Sequence, residues 1–191
     1  MSTTNLFVEL IVIGVSAFIW LVLFIFSVFG YAWVPIDLLL SPSAAVAILA
    51  VTYVLGIISD RIADTVFDWI WSDDLRGPYF QDRREYYNAR RLILIRSERL
   101  SDLLEYGRSR LRICRGWAFN SILIAISLNT FLWMNLSDRS SIWSISIFSS
   151  ISLLVFAFAA WFAWQKLVKI EYQKIKEQAE LFAPRESEED E

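Results

Sequence analysis

The sequence has no histidine and only one cysteine, Cys114, among its 191 residues. The chain therefore lacks the side chain most used for acid–base catalysis and metal binding. A single thiol can form no internal disulfide bond and cannot hold an iron–sulfur cluster alone. Charged residues make up only 20 % of the chain, against about 25 % in an ordinary soluble domain. These absences exclude histidine-based enzymes and cysteine–histidine nucleophiles, and we predict no bound cofactor.

Hydrophobic residues are correspondingly abundant, at 56 % of the chain, and the mean hydropathy is +0.45. Most of them fall in four uncharged runs, at residues 10–36, 38–59, 116–137 and 140–165. A helix needs about 20 apolar residues to cross a bilayer, and each run is long enough. The sequence therefore predicts an all-α membrane protein with four transmembrane helices, arranged as two hairpins that turn at residues 31–37 and 136–141.

The basic residues divide the chain into four segments. Residues 1–60 are the first transmembrane hairpin, residues 61–115 an Arg-rich helical cap, residues 116–165 the second hairpin, and residues 166–191 an amphipathic helix with an acidic, disordered tail. Of the 18 Lys and Arg residues, 17 lie in residues 61–115 and 166–191. Basic residues favour the cytoplasmic side, so we predict that the cap and both termini are cytoplasmic. We expect the membrane to be a bacterial inner membrane, since the chain is compact and shows no targeting signal.

Small and polar residues within the spans have two possible roles. Membrane helices associate through close contacts between small residues and through hydrogen bonds between helices, whereas polar side chains can also line a pore. We leave both roles, helix packing and pore lining, open for six residues: Gly56, Asn120, Ser127, Asn129, Ser149 and Ser152.

Glu9 stands immediately before the first uncharged run. An ionisable residue inside a span is a functional candidate. The 27 uncharged residues after it can cross the bilayer without it, so we expect Glu9 to contact water at the membrane surface.

Three carboxylates follow Gly56 at intervals of four residues, Asp60, Asp64 and Asp68. This spacing puts them on one helix face, where they are weak candidates for a metal site. The stretch Gly56-x3-Asp60-x3-Asp64 resembles the second half of the signature of CDP-alcohol phosphatidyltransferases, whose first half is absent upstream. The resemblance implies a lipid-phosphate enzyme that holds Mg²⁺ against a diphosphate. The simpler alternative is a solvated helix face in which Arg61 pairs with the neighbouring carboxylates.

Three arginines, Arg108, Arg112 and Arg115, share a helix face at the start of the third span. Guanidinium groups bind phosphates through two parallel hydrogen bonds, so we predict a site for an anionic lipid or a phosphate. The alternative is a positive anchor at the headgroup surface. We expect no nucleic-acid binding, because the 12 arginines of residues 61–115 face nine carboxylates.

We therefore predict a small oligomeric membrane protein that is not an enzyme. It would act as a sensor, an effector or a scaffold subunit of a multiprotein system, with membrane lipids, copies of itself and a cytoplasmic protein as partners. One alternative is an oligomeric ion channel or pore. Another is the Mg²⁺-dependent lipid-phosphate enzyme described above.

Overall fold

The computed structural model describes residues 3–35, 41–137 and 141–182, and within these ranges it contains only helices. In chain order they are α1 (Thr3–Phe29), α2 (Pro42–Arg76), α3 (Arg83–Arg96), α4 (Glu98–Asn135) and α5 (Ile142–Phe182). All but α3 are long and apolar enough to cross a membrane. The prediction of an all-α, multi-pass membrane protein with four spans is confirmed. The acidic tail at 184–191 and parts of both connecting turns lie outside the described residues.

Two helix ends differ from the boundaries predicted for the spans. Helix α1 ends at Phe29 because Gly30 adopts a left-handed backbone conformation with φ +72°, which glycine alone adopts without cost. Helix α2 begins at Pro42, where the Ser41 hydroxyl accepts a hydrogen bond from the Ala44 amide at 3.2 Å. A serine cap followed by proline is a typical helix start. The first span is thus shorter than its uncharged run.

Helices α2, α4 and α5 are longer than a membrane span requires. They contain 35, 38 and 41 residues, so at about 1.5 Å per residue they reach roughly 50–60 Å, about twice the hydrocarbon thickness. We call residues 3–9, 60–115 and 166–182 the charged end. We call the remaining described residues the apolar half.

The charged end is a folded extension of the bundle. Asp82 begins α3 by accepting a hydrogen bond from the Glu85 amide at 2.7 Å, and Ser97 begins α4 by the same kind of bond to Leu100. From Ser97 the chain runs unbroken into the third span. A buried cluster joins α3, α4, α5 and the loop after α2, and consists of Phe80, Ile93, Leu104 and Ile175.

Helix α4 is the central element of the bundle and α5 is peripheral. Helix α4 contacts all four other helices, and a much larger part of its apolar stretch is buried than of that of α5. Gly116 helps to place α4 against α1, since a Cβ atom there would lie 2.8 Å from the side chain of Ile13. The residues that connect several helices are therefore expected on α4.

Candidate functional site

Gly56 lies where α1 and α2 make their closest contact. A Cβ atom at Gly56 would overlap the carbonyl oxygen of Leu10, and one at Gly14 would overlap that of Thr52. The two glycines face each other and allow the backbones to touch, as small residues do in membrane helix pairs. Gly56 therefore has a packing role within the chain. Its partner Gly14 was not singled out from the sequence.

Asn120 joins three helices in the apolar half. Its side chain is completely buried. The amide nitrogen donates to the Ser16 hydroxyl at 2.9 Å and to the carbonyl oxygen of Ile13 at 3.4 Å. The amide oxygen accepts from the Ser59 hydroxyl at 2.9 Å. These bonds satisfy an amide that would otherwise be costly to bury.

Asn129 connects α4 to α5 in the same way. It donates to Ser150 at 2.8 Å and to the carbonyl oxygen of Ala125 at 2.7 Å, and it accepts from Ser146. Asn135 reaches α1, donating to the carbonyl oxygen of Phe26 at 3.3 Å. Both asparagines thus use their amides between helices of one chain.

The three predicted serines have different positions. Ser127 is buried. Ser149 is half-buried and donates to the carbonyl oxygen of Ser146 on its own helix, at 3.1 Å. Ser152 is exposed, so it lies outside the packed interior of the chain. Of the two serines of α5, Ser149 is therefore partly packed within the chain and Ser152 is not.

The carboxylates of α2 meet an arginine, Arg115. Its guanidinium donates to Asp60 at 2.8 Å and also to Asp64, while Asp68 lies 3.6 Å from Arg83. Within the described residues, no group of three carboxylates or other metal-ligating side chains is placed to hold a metal ion. The carboxylates suggested by the phosphatidyltransferase resemblance thus face guanidinium groups.

Glu9 does not contact water as predicted. Only 2 % of its side chain is exposed, and its Oε1 atom lies 3.4 Å from Nη1 of Arg112. Its other oxygen is buried with no hydrogen-bond partner among the described residues. The prediction failed because α4 packs against the start of α1. This contact joins residues far apart in sequence and places Arg112 beside the Glu9 carboxylate.

A pocket of about 340 Å³ opens at the charged end beside these ion pairs. Its lining includes all three arginines predicted for phosphate binding, together with Arg61 and Arg83. Four carboxylates also line it: Asp60, Asp64, Asp68 and Glu171. These five arginines thus face four carboxylates of the lining, and Glu9 pairs with Arg112 from outside it.

Five aromatic side chains also line the pocket, beside Ser72, Leu75, Leu111 and Val168. They are Phe67, Tyr86, Tyr87, Trp164 and Tyr172. The rings of Tyr86 and Tyr172 meet edge to face at 5.3 Å, and those of Phe67 and Trp164 at 4.8 Å. Burial, and secondarily the negative charge of Glu171, raises the pKa of the Tyr86 hydroxyl. The wall is therefore partly apolar, while the arginines supply hydrogen-bond donors.

The sequence did not identify the part of this pocket that α3 and α5 contribute. Arg83 and Tyr86 lie on α3, and Glu171 and Tyr172 lie on α5. The spacing of arginines on α4 correctly placed three of them together, because residues four and three apart share a helix face. No local pattern indicates which side chains of another helix will face them.

Comparison with protein-family models, curated protein sequences and solved structures finds no match for this chain.

Proposed function

We propose that this chain is an oligomeric membrane protein that works as a sensor, effector or scaffold subunit through its charged end. In this proposal the spans form two hairpins, the charged end is a cytoplasmic cap, and both termini lie in the cytoplasm. The placement of 17 of 18 basic residues on one side supports that orientation. A bacterial inner membrane remains part of the proposal.

One observation carries the proposal: an exposed apolar face on α4 outside the apolar half. Leu103 and Tyr106 are 58 % and 61 % exposed, and their spacing of three places them on one helix face. Leu103 precedes Gly116, the start of the third uncharged run, by about 20 Å along the helix. At that distance lipid tails do not cover it, unlike the apolar side chains of the spans. We infer that another protein covers these two side chains, because their burial removes apolar surface from water.

The alternative functions use residues that already have partners in the chain. Asn120 and Ser127 are buried within one bundle, which argues against their lining a pore between copies. Asp60 and Asp64 share the guanidinium of Arg115, which argues against Mg²⁺ chemistry there. The α4 face has no such competing role.

The test is the mass of the protein–detergent complex, corrected for detergent, for the full chain of 22.2 kDa. The wild type is expected to be larger than a monomer. Leu103→Asp should reduce the mass to that of a monomer, because a charge cannot be buried in an apolar contact without a partner. Val155→Ser, on the exposed face of α5, is the control and should leave the mass unchanged. A monomeric wild type, or a loss of association only in the control, would refute association through α4.

A further inference from the structure

We propose that the pocket at the charged end binds a phosphate group, carried either by a small soluble molecule or by a lipid headgroup, through Arg108 and Arg112. This inference goes beyond the proposed function, since the site would exist in a monomer and needs no protein partner. It rests on two observations: the pocket arginines differ in their contacts with carboxylates, and the pocket has a suitable size and depth.

The arginines of α4 differ in their remaining capacity to bind an anion. Arg115 is only 12 % exposed and contacts two carboxylates. Arg112 is 34 % exposed and has a single 3.4 Å contact with Glu9. Arg108 is 41 % exposed, and its Nε atom lies 3.9 Å from Glu171, beyond hydrogen-bond distance. Arg108 and Arg112 therefore keep most of their five N–H donors available.

The geometry of these two arginines suits a phosphate. Because they are four residues apart on α4, their Cβ atoms lie about 6 Å apart on one face. A guanidinium binds two phosphate oxygens at once, so both side chains can reach a single phosphate or two linked ones. The carboxylates that face them, Glu171 and Glu9, are only 12 % and 2 % exposed. Because both carboxylates are buried, they present little negative surface to an incoming anion.

The pocket is large enough for more than a phosphate. Its volume of about 340 Å³ falls at the lower end of the roughly 300–1,000 Å³ found for ligand sites. The rings of Tyr86 and Tyr172 supply an apolar wall for the rest of the ligand. Arg112 precedes the third uncharged run by only four residues, so the site lies at the depth of lipid headgroups. A soluble phosphate compound and a phospholipid can both reach it.

The first experiment titrates pyrophosphate into the purified full-length protein, in an uncharged maltoside detergent, by calorimetry. Arg108→Gln and Arg112→Gln should each weaken binding about tenfold or more, since each removes hydrogen bonds between charged groups. Arg99→Gln is the matched control, because Arg99 is an exposed arginine of the same helix that does not line the pocket. It should leave the affinity unchanged.

For a second pair of variants we expect the affinity for pyrophosphate to change in the opposite direction. Glu171→Gln and Glu9→Gln remove the carboxylates that compete for Arg108 and Arg112, so both should tighten pyrophosphate binding severalfold. A purely structural role for these ion pairs would instead predict weaker binding in every variant. If a Gln variant does not fold, Arg108→Lys keeps the charge but loses the planar pair of donors. It should weaken binding while the helix content stays that of the wild type.

Native mass spectrometry separates the two sources of phosphate. If pyrophosphate does not bind, but the wild type retains phosphatidylglycerol and Arg108→Gln and Arg112→Gln lose it, the ligand is a lipid headgroup. If pyrophosphate binds and lipid retention is the same in all variants, the ligand is soluble. If neither probe binds, or if Arg99→Gln weakens binding as much as Arg108→Gln, the proposal is wrong.

Discussion

In the apolar half, the amide of Asn120 is completely buried and makes three hydrogen bonds to α1 and α2. At the charged end, the carboxylate of Glu171 lies 3.9 Å from Arg108, and 41 % of the arginine side chain is exposed. The two polar side chains thus differ in their surroundings. The side chain of Asn120 is satisfied within the bundle, whereas Arg108 keeps exposed donors that a further partner could use.

The largest expected effect concerns the backbone contact in the apolar half. Gly56→Ala should lower the free energy of unfolding by about 3 kcal/mol, because its Cβ atom would overlap the Leu10 carbonyl oxygen and push α1 from α2. The measurement is unfolding by SDS titration in mixed micelles. Gly107→Ala is the matched control at the charged end, since a Cβ atom there meets nothing within 4 Å. It should be neutral or stabilise the protein by up to about 1 kcal/mol. Equal effects at both glycines would remove the distinction between the two regions.

Arg115 also has its partners within the chain, although it lies at the charged end. Arg115→Gln should cost about 2 kcal/mol, because Asp60 would remain buried without its cation. Combining it with Asp60→Asn should restore part of that loss, which the same SDS titration would detect as coupling between the two substitutions. Arg76→Gln should cost less than about 1 kcal/mol, since its partner Asp73 is 87 % exposed. If the two arginine variants cost the same, the Asp60–Arg115 pair has no special role.

Asn120→Leu should lower the free energy of unfolding by about 1–2 kcal/mol. The variant leaves the Ser16 and Ser59 hydroxyls without their amide partner, and hydrogen bonds between membrane helices are worth about 0.6 kcal/mol on average. Ser152→Ala, at an exposed position, should leave the unfolding transition unchanged.

In liposomes, an ion flux that Asn129→Leu abolishes would show that amides of this type line a pore.

The smallest effect concerns Tyr86 and alkaline pH. Because burial raises its pKa in the folded chain above about 10 in an unfolded chain, its stabilising contribution is complete below pH 10. That contribution is lost as the pH rises through the folded value, since the unfolded state ionises first. Tyr86→Phe should therefore keep the charged end folded to higher pH, measured by circular dichroism from pH 9 to 12. The two proteins should agree at pH 7, and an unchanged alkaline transition would contradict the prediction.

The sequence was sufficient for the features that depend on local patterns. The four uncharged runs correctly predicted the four long apolar helices. The intervals between Arg108, Arg112 and Arg115 were enough to place them on one face. Each of these features follows from hydrophobicity or helical periodicity within a short stretch of chain.

The remaining features depend on contacts between distant residues. Glu9 was expected in water because the 27 uncharged residues after it can cross the bilayer without it, whereas its partner Arg112 lies 103 residues away. Gly14 and Gly56 contact each other's helix only when α1 and α2 pack in one particular register. The position of α3 likewise decides that Tyr86 faces the arginines. Such choices depend on packing, which no single segment specifies.

The central claim is that the charged end is the binding region of the molecule and the apolar half its membrane anchor. The most direct test introduces a photo-crosslinking amino acid at Leu103 or at Leu154, which are 58 % and 54 % exposed, and irradiates intact cells. We predict crosslinks from position 103 to protein, including a second copy of the chain, and from position 154 to lipid only. Protein crosslinks from position 154, with none from position 103, would contradict the account.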